Sequence, residues 1–359
     1  MSIAPFVHLR NHTAYSVAEG ALTSHTIVDL CKEYNMPAAA ITDTNNIFGG
    51  AEFSTYLGDD GIQPILGTQL DVDFGLPSSV FAKAPYSQLV LLVKDDVGYH
   101  NLIKLISYAH IRKKDNEPAR ITLDMLKEKT EGLIALSGGV KGVIGKCLLA
   151  ENKELAEEKC LLLKELFGDR FYMEIQRHNL ADEITTEPDF LNLAYKHNIP
   201  LVATNECYFA SRDMYQAHDV LLCISAGRFV DEKDRRRETE EHYFKSPDEM
   251  VALFSDLPEA PARDFGSYSP LLRRSGVVRP QDALKSSPIS GEYEKTVAKR
   301  RLTPRRFRRT RKGASMHLTT KALVLREVNY KESDKILTVL TADGGKLTVS
   351  ARGCRKKGS

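Results

Sequence analysis

The first 260 residues alternate between short apolar runs and helical patterns, and this alternation limits the folds open to the chain more than any other feature. The runs are rich in Val, Ile, Leu and Ala, as strands buried on both faces are. They span residues 5–9, 38–42, 62–70, 88–93, 132–137, 172–176 and 201–205. Helical patterns lie at 24–34, where Ser24 is expected to be the N-cap, and at 152–167, 188–197 and 212–224. The alternation predicts a parallel α/β barrel, whose functional side chains gather at the C-terminal strand ends.

Charge divides the chain into two parts. Residues 1–260 carry 26 basic and 40 acidic side chains, a net charge of −14, whereas residues 261–359 carry 24 basic and 8 acidic side chains, a net charge of +16. The total of +2 therefore conceals an acidic segment joined to a basic one. Such asymmetry predicts different partners for the two parts.

The basic part has a sequence of its own kind. Residues 261–315 are rich in Pro, Ser, Gly and Arg and include nine basic residues and no acidic one between Lys299 and Lys312, which predicts a disordered linker. Residues 319–327, 335–341 and 346–351 read as three short antiparallel strands, with a glycine-rich turn before the last. Three strands cannot close a barrel, so this piece is expected to be incomplete.

Several classes of protein are excluded. No apolar run approaches the ~18 residues of a membrane helix, and residues 1–6 do not resemble a secretion signal. The six cysteines are scattered without a CxxC pair, which indicates reduced thiols rather than a disulfide framework or a zinc site. We therefore expect a cytoplasmic protein with no membrane partner.

Residues 1 to about 260 resemble the PHP (polymerase and histidinol phosphatase) domain found at the N-terminus of bacterial DNA polymerase III α subunits. The most specific stretches are FVHLRNHTAYS at residues 6–16, MPAAAITDTNN at 36–46, IQPILG at 62–67, GLIALSGG at 132–139 and PLVATN at 200–205. The resemblance implies a distorted seven-stranded β/α barrel, in agreement with the strand count.

Active PHP domains hold a metal cluster through nine His and acidic ligands and hydrolyse phosphoesters. The resemblance places four remaining ligands at His12, Glu19, His178 and Glu206. The other matched positions are substituted and carry Arg10, Thr44, Gln69, Gln88 and Tyr208. Because a multi-metal site needs anionic and imidazole ligands, we expect no bound metal, no cofactor and no catalytic residue here.

The resemblance implies a scaffold segment of the replicative polymerase, with DNA, other replicase subunits and a proofreading exonuclease as partners. The Mg²⁺-binding palm of that family has no counterpart in this chain, so DNA-directed DNA polymerase (nucleotidyltransferase) activity is not expected of it. Two alternatives stay open. One is a metal-dependent PHP phosphoesterase, and the other is a DNA-binding module that acts through the basic C-terminal region.

Residues 316–359 resemble the start of the recombination mediator RecO, whose N-terminal domain is a DNA-binding OB-fold. The resemblance begins at Met316, which suggests a junction between two unrelated coding regions. The expected domains are therefore 1–260, the linker 261–315 and a truncated OB-like segment 316–359. The basic side chains expected to contact nucleic acid are Arg305, Arg306, Arg308, Arg309, Arg311, Lys312, Arg355 and Lys356.

Overall fold

The computed structural model describes residues 6–76, 86–113 and 117–260 with their side chains, and the backbone of five strands between residues 307 and 351. The two parts belong to separate compact units, and each is described by itself.

Strands and helices alternate in the N-terminal unit, which confirms the predicted α/β class. The helices are α1 Ser24–Glu33, α2 Gly50–Asp59, α3 Asp96–Ile111, α4 Leu123–Lys127, α5 Val143–Leu149, α6 Lys153–Phe167, α7 Ala181–Lys196, α8 Tyr215–Ala226 and α9 Pro247–Leu253. The strands are β1 Ala38–Ile41, β2 Gln63–Asp73, β3 Ser87–Val93, β4 Ile121–Thr122, β5 Leu133–Leu136, β6 Phe171–Ile175 and β7 Leu201–Ala203. Short 3₁₀ turns lie at Gly139–Lys141, Gly168–Arg170 and Arg212–Met214.

These strands form one mixed sheet in the order β1-β2-β3-β5-β6-β7, with β4 paired to β2. The pairs β1–β2, β5–β6 and β6–β7 are parallel, but β3 runs antiparallel to both β2 and β5. The expectation of a wholly parallel barrel is therefore wrong at β3. Only residues 74–86 separate β2 from β3, and antiparallel neighbours need no crossover helix.

The chain before α1 bridges the two edges of this sheet. On one side, the carbonyl of His8 accepts a hydrogen bond from Ala40 N at 2.9 Å, in β1. On the other side, Cys207 N donates to the carbonyl of Arg10 at 3.1 Å, and His12 N donates to the carbonyl of Cys207 at 2.8 Å. The apolar run 5–9, expected to be a regular strand, thus brings Arg10 and His12 into the interior of the curled sheet.

Alternate residues of the strands pack on opposite faces of the sheet. The interior cluster includes Ala38, Ala40, Val90, Leu92 and Ile134. Their sequence neighbours join the larger cluster that packs against the helices, as Ala39, Ile41, Leu89, Leu91 and Leu133 do. Because side chains alternate along a strand, interior positions that carry polar residues must place them inside the barrel.

The C-terminal unit contains two antiparallel sheets. The strands β8 Phe307–Arg311 and β9 Ala314–Leu318 pair with each other, and β10 Ala322–Tyr330, β11 Asp334–Thr341 and β12 Gly345–Ala351 form a three-stranded sheet. The last three correspond to the three predicted strands. The first two were not expected, because all of β8 and part of β9 fall within the segment predicted as linker. Residues 261–306 lie outside the described residues.

In the ranges that the structure describes, no helix has both the length and the apolar character needed to cross a membrane. Five cysteines, Cys31, Cys147, Cys160, Cys207 and Cys223, are buried and carry free thiols. Cys354 lies outside the described residues.

Candidate functional site

A buried polar cluster occupies one end of the barrel interior. Glu174 lies near the C-terminal end of β6, Gln69 lies in the second half of β2, and Gln88 lies at the start of the antiparallel strand β3. Gln88 is two residues from Val90 and Gln69 is four residues from Ile65, both in the interior cluster, so both glutamines fall on the interior side of their strands. Arg10 and Glu206 enter from the segments that border the sheet edges.

Arg10 lies at the centre of this cluster and is fully buried. Its guanidinium donates to Glu174 Oε2 at 3.0 Å, Gln69 Oε1 at 2.6 Å, Gln88 Oε1 at 2.9 Å and Glu206 Oε1 at 2.8 Å. Burial alone would lower the pKa of Arg10, but the two carboxylates outweigh it and raise that pKa. The arginine at this substituted ligand position therefore serves as the cation that neutralises two buried acids.

Glu174 is a site residue that the predicted ligand set omitted. Its Oε1 accepts from Thr204 Oγ1 at 2.5 Å, and its Oε2 accepts from the backbone N of Gly138 at 3.0 Å as well as from Arg10. The signal was present in the sequence, because Glu174 is a carboxylate near the end of a strand whose neighbours are otherwise apolar. Buried carboxylates need hydrogen-bond donors, and here Arg10, Gly138 and Thr204 supply them.

Glu206 is the most heavily paired acid of the cluster. Besides Arg10, its carboxylate accepts from Lys141 Nζ at 3.0 Å and Tyr208 Oη at 2.9 Å, and it lies 3.5 Å from His12 Nε2. Burial would raise the pKa of Glu206, but the positive charges of Arg10 and Lys141 hold it well below the usual range. Tyr208, at a substituted ligand position, acts as a donor to this acid because burial and Glu206 keep its pKa well above the usual value.

Glu19 is paired by a different cation. It accepts from Thr44 Oγ1 at 2.7 Å and forms an ion pair with Arg236. Burial opposes ionisation of Glu19, yet Arg236 outweighs it and the pKa of Glu19 is lowered. Arg236 also pairs with Glu238 at 2.8 Å. Thr44, expected as a lost ligand, has thus become a hydrogen-bond partner of a retained one.

His178 contacts an acid outside the cluster around Arg10. Its Nδ1 lies 2.6 Å from Glu183 Oε1, and its ring stacks on His242 with centroids 3.8 Å apart. Burial lowers the pKa of His242 well below its usual value, so that ring is neutral. Two parallel stacked imidazoles cannot both direct a nitrogen lone pair at one ion, so this arrangement does not suit a shared metal.

The sequence did not predict four polar residues that surround the cluster. Lys141 follows β5 in a 3₁₀ turn, and Arg236, Glu238 and His242 come from the segment between α8 and α9. None of them belongs to a regular hydrophobic pattern. Lys141 pairs with Glu206, His242 stacks on His178, and Arg236 pairs with Glu19 across 217 residues, so only the fold reveals these contacts.

The cluster does not fit the metal centre that the family implies. Among the residues described with side chains, no group of three or more His, Cys, Asp or Glu is placed to hold a metal ion. A guanidinium lies between the carboxylates of Glu174 and Glu206, where a metal would have to lie to bind both. Cations already neutralise Glu19 and Glu206, so they offer no free charge to a divalent ion.

The residues predicted to contact nucleic acid lie in the C-terminal unit. Arg308, Arg309 and Arg311 belong to β8. The other predicted contacts lie outside the described residues, namely Arg305, Arg306, Lys312, Arg355 and Lys356.

Comparison with known proteins finds similarity in both parts of the chain. Residues 8–178 match the PHP domain, and residues 316–359 match the N-terminal family of recombination protein O. The DNA polymerase III α subunit of Rickettsia bellii is 46% identical over 255 residues, which is 71% of this chain and 21% of that protein. The α subunit of Caulobacter vibrioides is 44% identical over 257 residues, 71% of this chain and 22% of that protein. The chain thus spans about a fifth of the length of these relatives.

Solved structures give weaker similarity. An amidohydrolase from Chromobacterium violaceum is 15% identical, with a TM-score of 0.36, over 56% of this chain and 87% of that one. A two-domain protein from Bacteroides vulgatus with a PHP-like metal-dependent phosphoesterase domain is 9% identical, with a TM-score of 0.36, over 99% of this chain and 90% of that one. Similarity at this level says nothing about the site. The sequence matches are more specific: residues 8–178 match the PHP domain, and 71% of the chain is homologous to bacterial DNA polymerase III α subunits.

Proposed function

We propose that the N-terminal unit is the PHP scaffold of a replicative DNA polymerase α subunit and hydrolyses no phosphoester itself. The homology to α subunits over 71% of the chain supports the assignment to DNA replication. Polymerisation and the Mg²⁺ that it requires are assigned to regions of the relatives that this chain does not cover. The proposed partners are DNA, other replicase subunits and a proofreading exonuclease, and the proposed location is the cytoplasm.

One observation carries the proposal, namely the guanidinium of Arg10 between Glu174 and Glu206. Hydrolysis in this fold requires metal-bound water, and metal binding requires anionic ligands whose charge is free. Here the charges of Glu174 and Glu206 are already neutralised by Arg10 and Lys141. The alternative of a PHP phosphoesterase is disfavoured for the same reason.

An activity assay tests the absence of hydrolysis. The purified chain is incubated with p-nitrophenyl phosphate and with single-stranded DNA in the presence of Mn²⁺, Zn²⁺ or Mg²⁺, and its metal content is measured by mass spectrometry. We expect no turnover above an EDTA-treated control and no stoichiometric metal. Turnover that depends on a bound metal would contradict the proposal.

A binding assay tests the scaffold role. The chain is mixed with the proofreading exonuclease of the same organism, and complex formation is followed by analytical ultracentrifugation. We expect a complex that persists when residues 299–359 are deleted, because the homology to α subunits resides in the N-terminal unit. Loss of the complex in the deletion variant would place the contact in the basic region instead.

The basic C-terminal region supports a second candidate function, DNA binding. Nine basic residues without an acid between Lys299 and Lys312 provide the positive charge that phosphate contacts require. Fluorescence anisotropy with a single-stranded oligonucleotide at increasing salt tests this. Binding through this region should weaken steeply with salt, by about 0.7 in the log–log slope per phosphate contacted. Binding that survives deletion of residues 299–359 would refute it.

A further inference from the structure

Exposed apolar side chains are concentrated at the C-terminal end of α8. Of the thirteen large apolar side chains that are exposed in the described ranges, four lie within residues 220–230. Val220 and Ile224 are one helical turn apart on the same face of α8, and Phe229 and Val230 follow in the loop after it. Ile224 is 74% exposed and Phe229 is 75% exposed. These four residues form the α8 patch.

The loop that carries Phe229 and Val230 is held against α8 by arginine side chains. The carbonyl of Val230 accepts hydrogen bonds from Arg235 at 2.9 Å and from Arg237 at 2.8 Å. Arg235 also donates both terminal nitrogens to the carboxylate of Asp219, in α8, at 2.5 and 2.6 Å. The loop is therefore ordered, and it holds two apolar side chains in water. Such an arrangement indicates a surface that another molecule covers.

The size of the α8 patch limits the kind of contact that it can make. Four apolar side chains at these exposures present roughly 400 Å², the size of the largest patch on a typical monomer, and such patches are often functional. Two of these patches facing each other would bury about 800 Å² of apolar surface, to which a polar rim would add. This area lies below the roughly 1,600 Å² of stable complexes and suits weak, reversible association.

Charge favours a second copy of this chain as the molecule that covers the patch. Residues 1–260 carry a net charge of −14, so two copies repel each other over most of the surface of this unit. Residues 228–237 instead carry five basic and three acidic side chains. Two copies that meet at the α8 patch therefore avoid the repulsion that other contacts would suffer.

The charges beside the patch are also self-complementary. Within the described ranges, the exposed side chains of Asp231, Lys233 and Asp234 form no ion pair. Arg237 donates to the backbone carbonyls of Val230 and Glu232. A two-fold axis brings each residue of the patch against residues of the same patch on the other copy, so these cations and anions can pair across it.

We propose that the α8 patch is a self-association surface, through which two copies of this chain form a weak dimer about a two-fold axis. Ile224 and Phe229 form the apolar centre of the contact, and the exposed charges of residues 231–237 form its rim. The expected Kd is about 10–100 μM. The dimer involves an outer surface of the N-terminal unit and does not depend on the proposed role in replication.

Sedimentation velocity of the full chain tests the proposal between about 5 and about 300 μM, a range that spans the expected Kd. The unaltered chain should pass from monomer to dimer over this range. Ile224→Asp and Phe229→Asp place a charge in the apolar centre and should raise the Kd at least about tenfold. Ile184→Asp is the matched control, since Ile184 is 69% exposed on a different helix, α7. It should dimerise like the unaltered chain.

Two outcomes of this experiment would overturn the proposal. One is an unaltered chain that stays monomeric at about 300 μM, which would leave the α8 patch to a different protein. The other is a dimer that Ile224→Asp weakens no more than Ile184→Asp does, which would place the contact elsewhere. Circular dichroism of each variant verifies that it is folded, and Ile224→Asp decides the matter if Phe229→Asp is not.

Chemical cross-linking gives an independent measurement that keeps the apolar centre intact. In a Cys354→Ser background the remaining cysteines are buried, so Val230→Cys supplies one exposed thiol at the patch and Ile184→Cys supplies one away from it. A short bismaleimide should join two copies of the Val230→Cys variant and leave the Ile184→Cys variant monomeric. Equal yields of cross-linked dimer from the two variants, or none from Val230→Cys, would contradict the proposed contact.

Discussion

His8, two residues before Arg10, shows how a single buried side chain makes the stability of the domain depend on pH. Its Nε2 lies 2.8 Å from the carbonyl of Lys245, and its ring packs against those of Phe6 and Phe244. Burial, assisted by the charge of Lys245, lowers the pKa of His8 from 6.5 to about 4, against the hydrogen bond to the Lys245 carbonyl, which raises it. The folded state therefore holds this imidazole neutral.

The sign of the pH effect follows from this pKa. Between pH 4 and 6.5 the unfolded chain binds a proton at His8 that the folded chain does not bind, so stability falls as the pH falls through that range and is constant above it. The shift corresponds to about 3 kcal/mol. His8→Gln should lose less stability than the unaltered chain between pH 7 and pH 4.5, as measured by urea unfolding. His100→Gln, at an exposed histidine, serves as the control, and equal slopes for His8→Gln and the unaltered chain would contradict the prediction.

At the scale of the element, the packing of α3 requires its backbone at Gly98 to approach the backbone of Gly132 closely. Gly98 lies in its first turn, where its N donates to Asp95 Oδ1 at 3.0 Å, and a Cβ added there would lie 1.8 Å from the carbonyl oxygen of Gly132. Gly132 has φ of +71° in the turn before β5 and also meets this backbone. No rotamer change relieves a clash between a Cβ and a carbonyl, so one of the two elements would have to shift.

Alanine at two helical glycines separates this packing effect from helix propensity. Gly98→Ala should destabilise the chain by roughly 3 kcal/mol, because overpacking here is against backbone. Gly58→Ala, in α2, meets nothing within 4 Å and should stabilise by about 0.5–1 kcal/mol, since alanine favours helix over glycine. Urea unfolding curves of the two variants measure both values. Similar effects of the two substitutions would show that the approach to Gly132 is unimportant.

The elements also show which parts of the fold the sequence could predict. Six predicted strands correspond to β1, β2, β3, β5, β6 and β7, because their apolar runs are long enough to stand out. The two-residue β4 is too short to show a periodic pattern. Strand direction has no effect on composition, so the sequence predicted β3 but not that it runs antiparallel to its neighbours. Helix α7 begins at Ala181 rather than Pro188, since Glu183 caps its first turn, and the N-cap of α1 is Thr23 instead of Ser24.

The site was less predictable than the fold. The resemblance identified the positions of Arg10, Thr44 and Tyr208, but their present partners depend on contacts across the barrel. Arg10 pairs with Glu206 across 196 residues, and Arg236 approaches Glu19 across 217. Since a sequence read along the chain carries no record of such contacts, it predicted substituted ligand positions but could not predict the ion pairs that these side chains form.

At the scale of the whole molecule, residues 253–260 are hydrogen-bonded to the rest of the N-terminal unit. Arg177, just after β6, donates to Glu187 in α7 at 2.6 Å, to Asp256 at 2.6 and 2.8 Å and to the carbonyl of Leu253 at 2.8 Å. Ala203 N, at the end of β7, donates to the carbonyl of Ala260 at 2.8 Å. The folded unit therefore includes residue 260, where the sequence predicted a domain boundary.

Limited digestion with subtilisin, a protease of broad specificity, tests this boundary. Since cleavage requires backbone that can leave its hydrogen bonds, the stable fragment should retain Ala260. Arg177→Met removes the side chain that joins α7 to Asp256, so its fragment should be trimmed to a C-terminus before Leu253. Intact-mass spectrometry identifies the C-terminus of each stable fragment. If the two fragments share one C-terminus, Arg177 does not hold this segment, and Ala203 together with the apolar contacts of α9 must suffice.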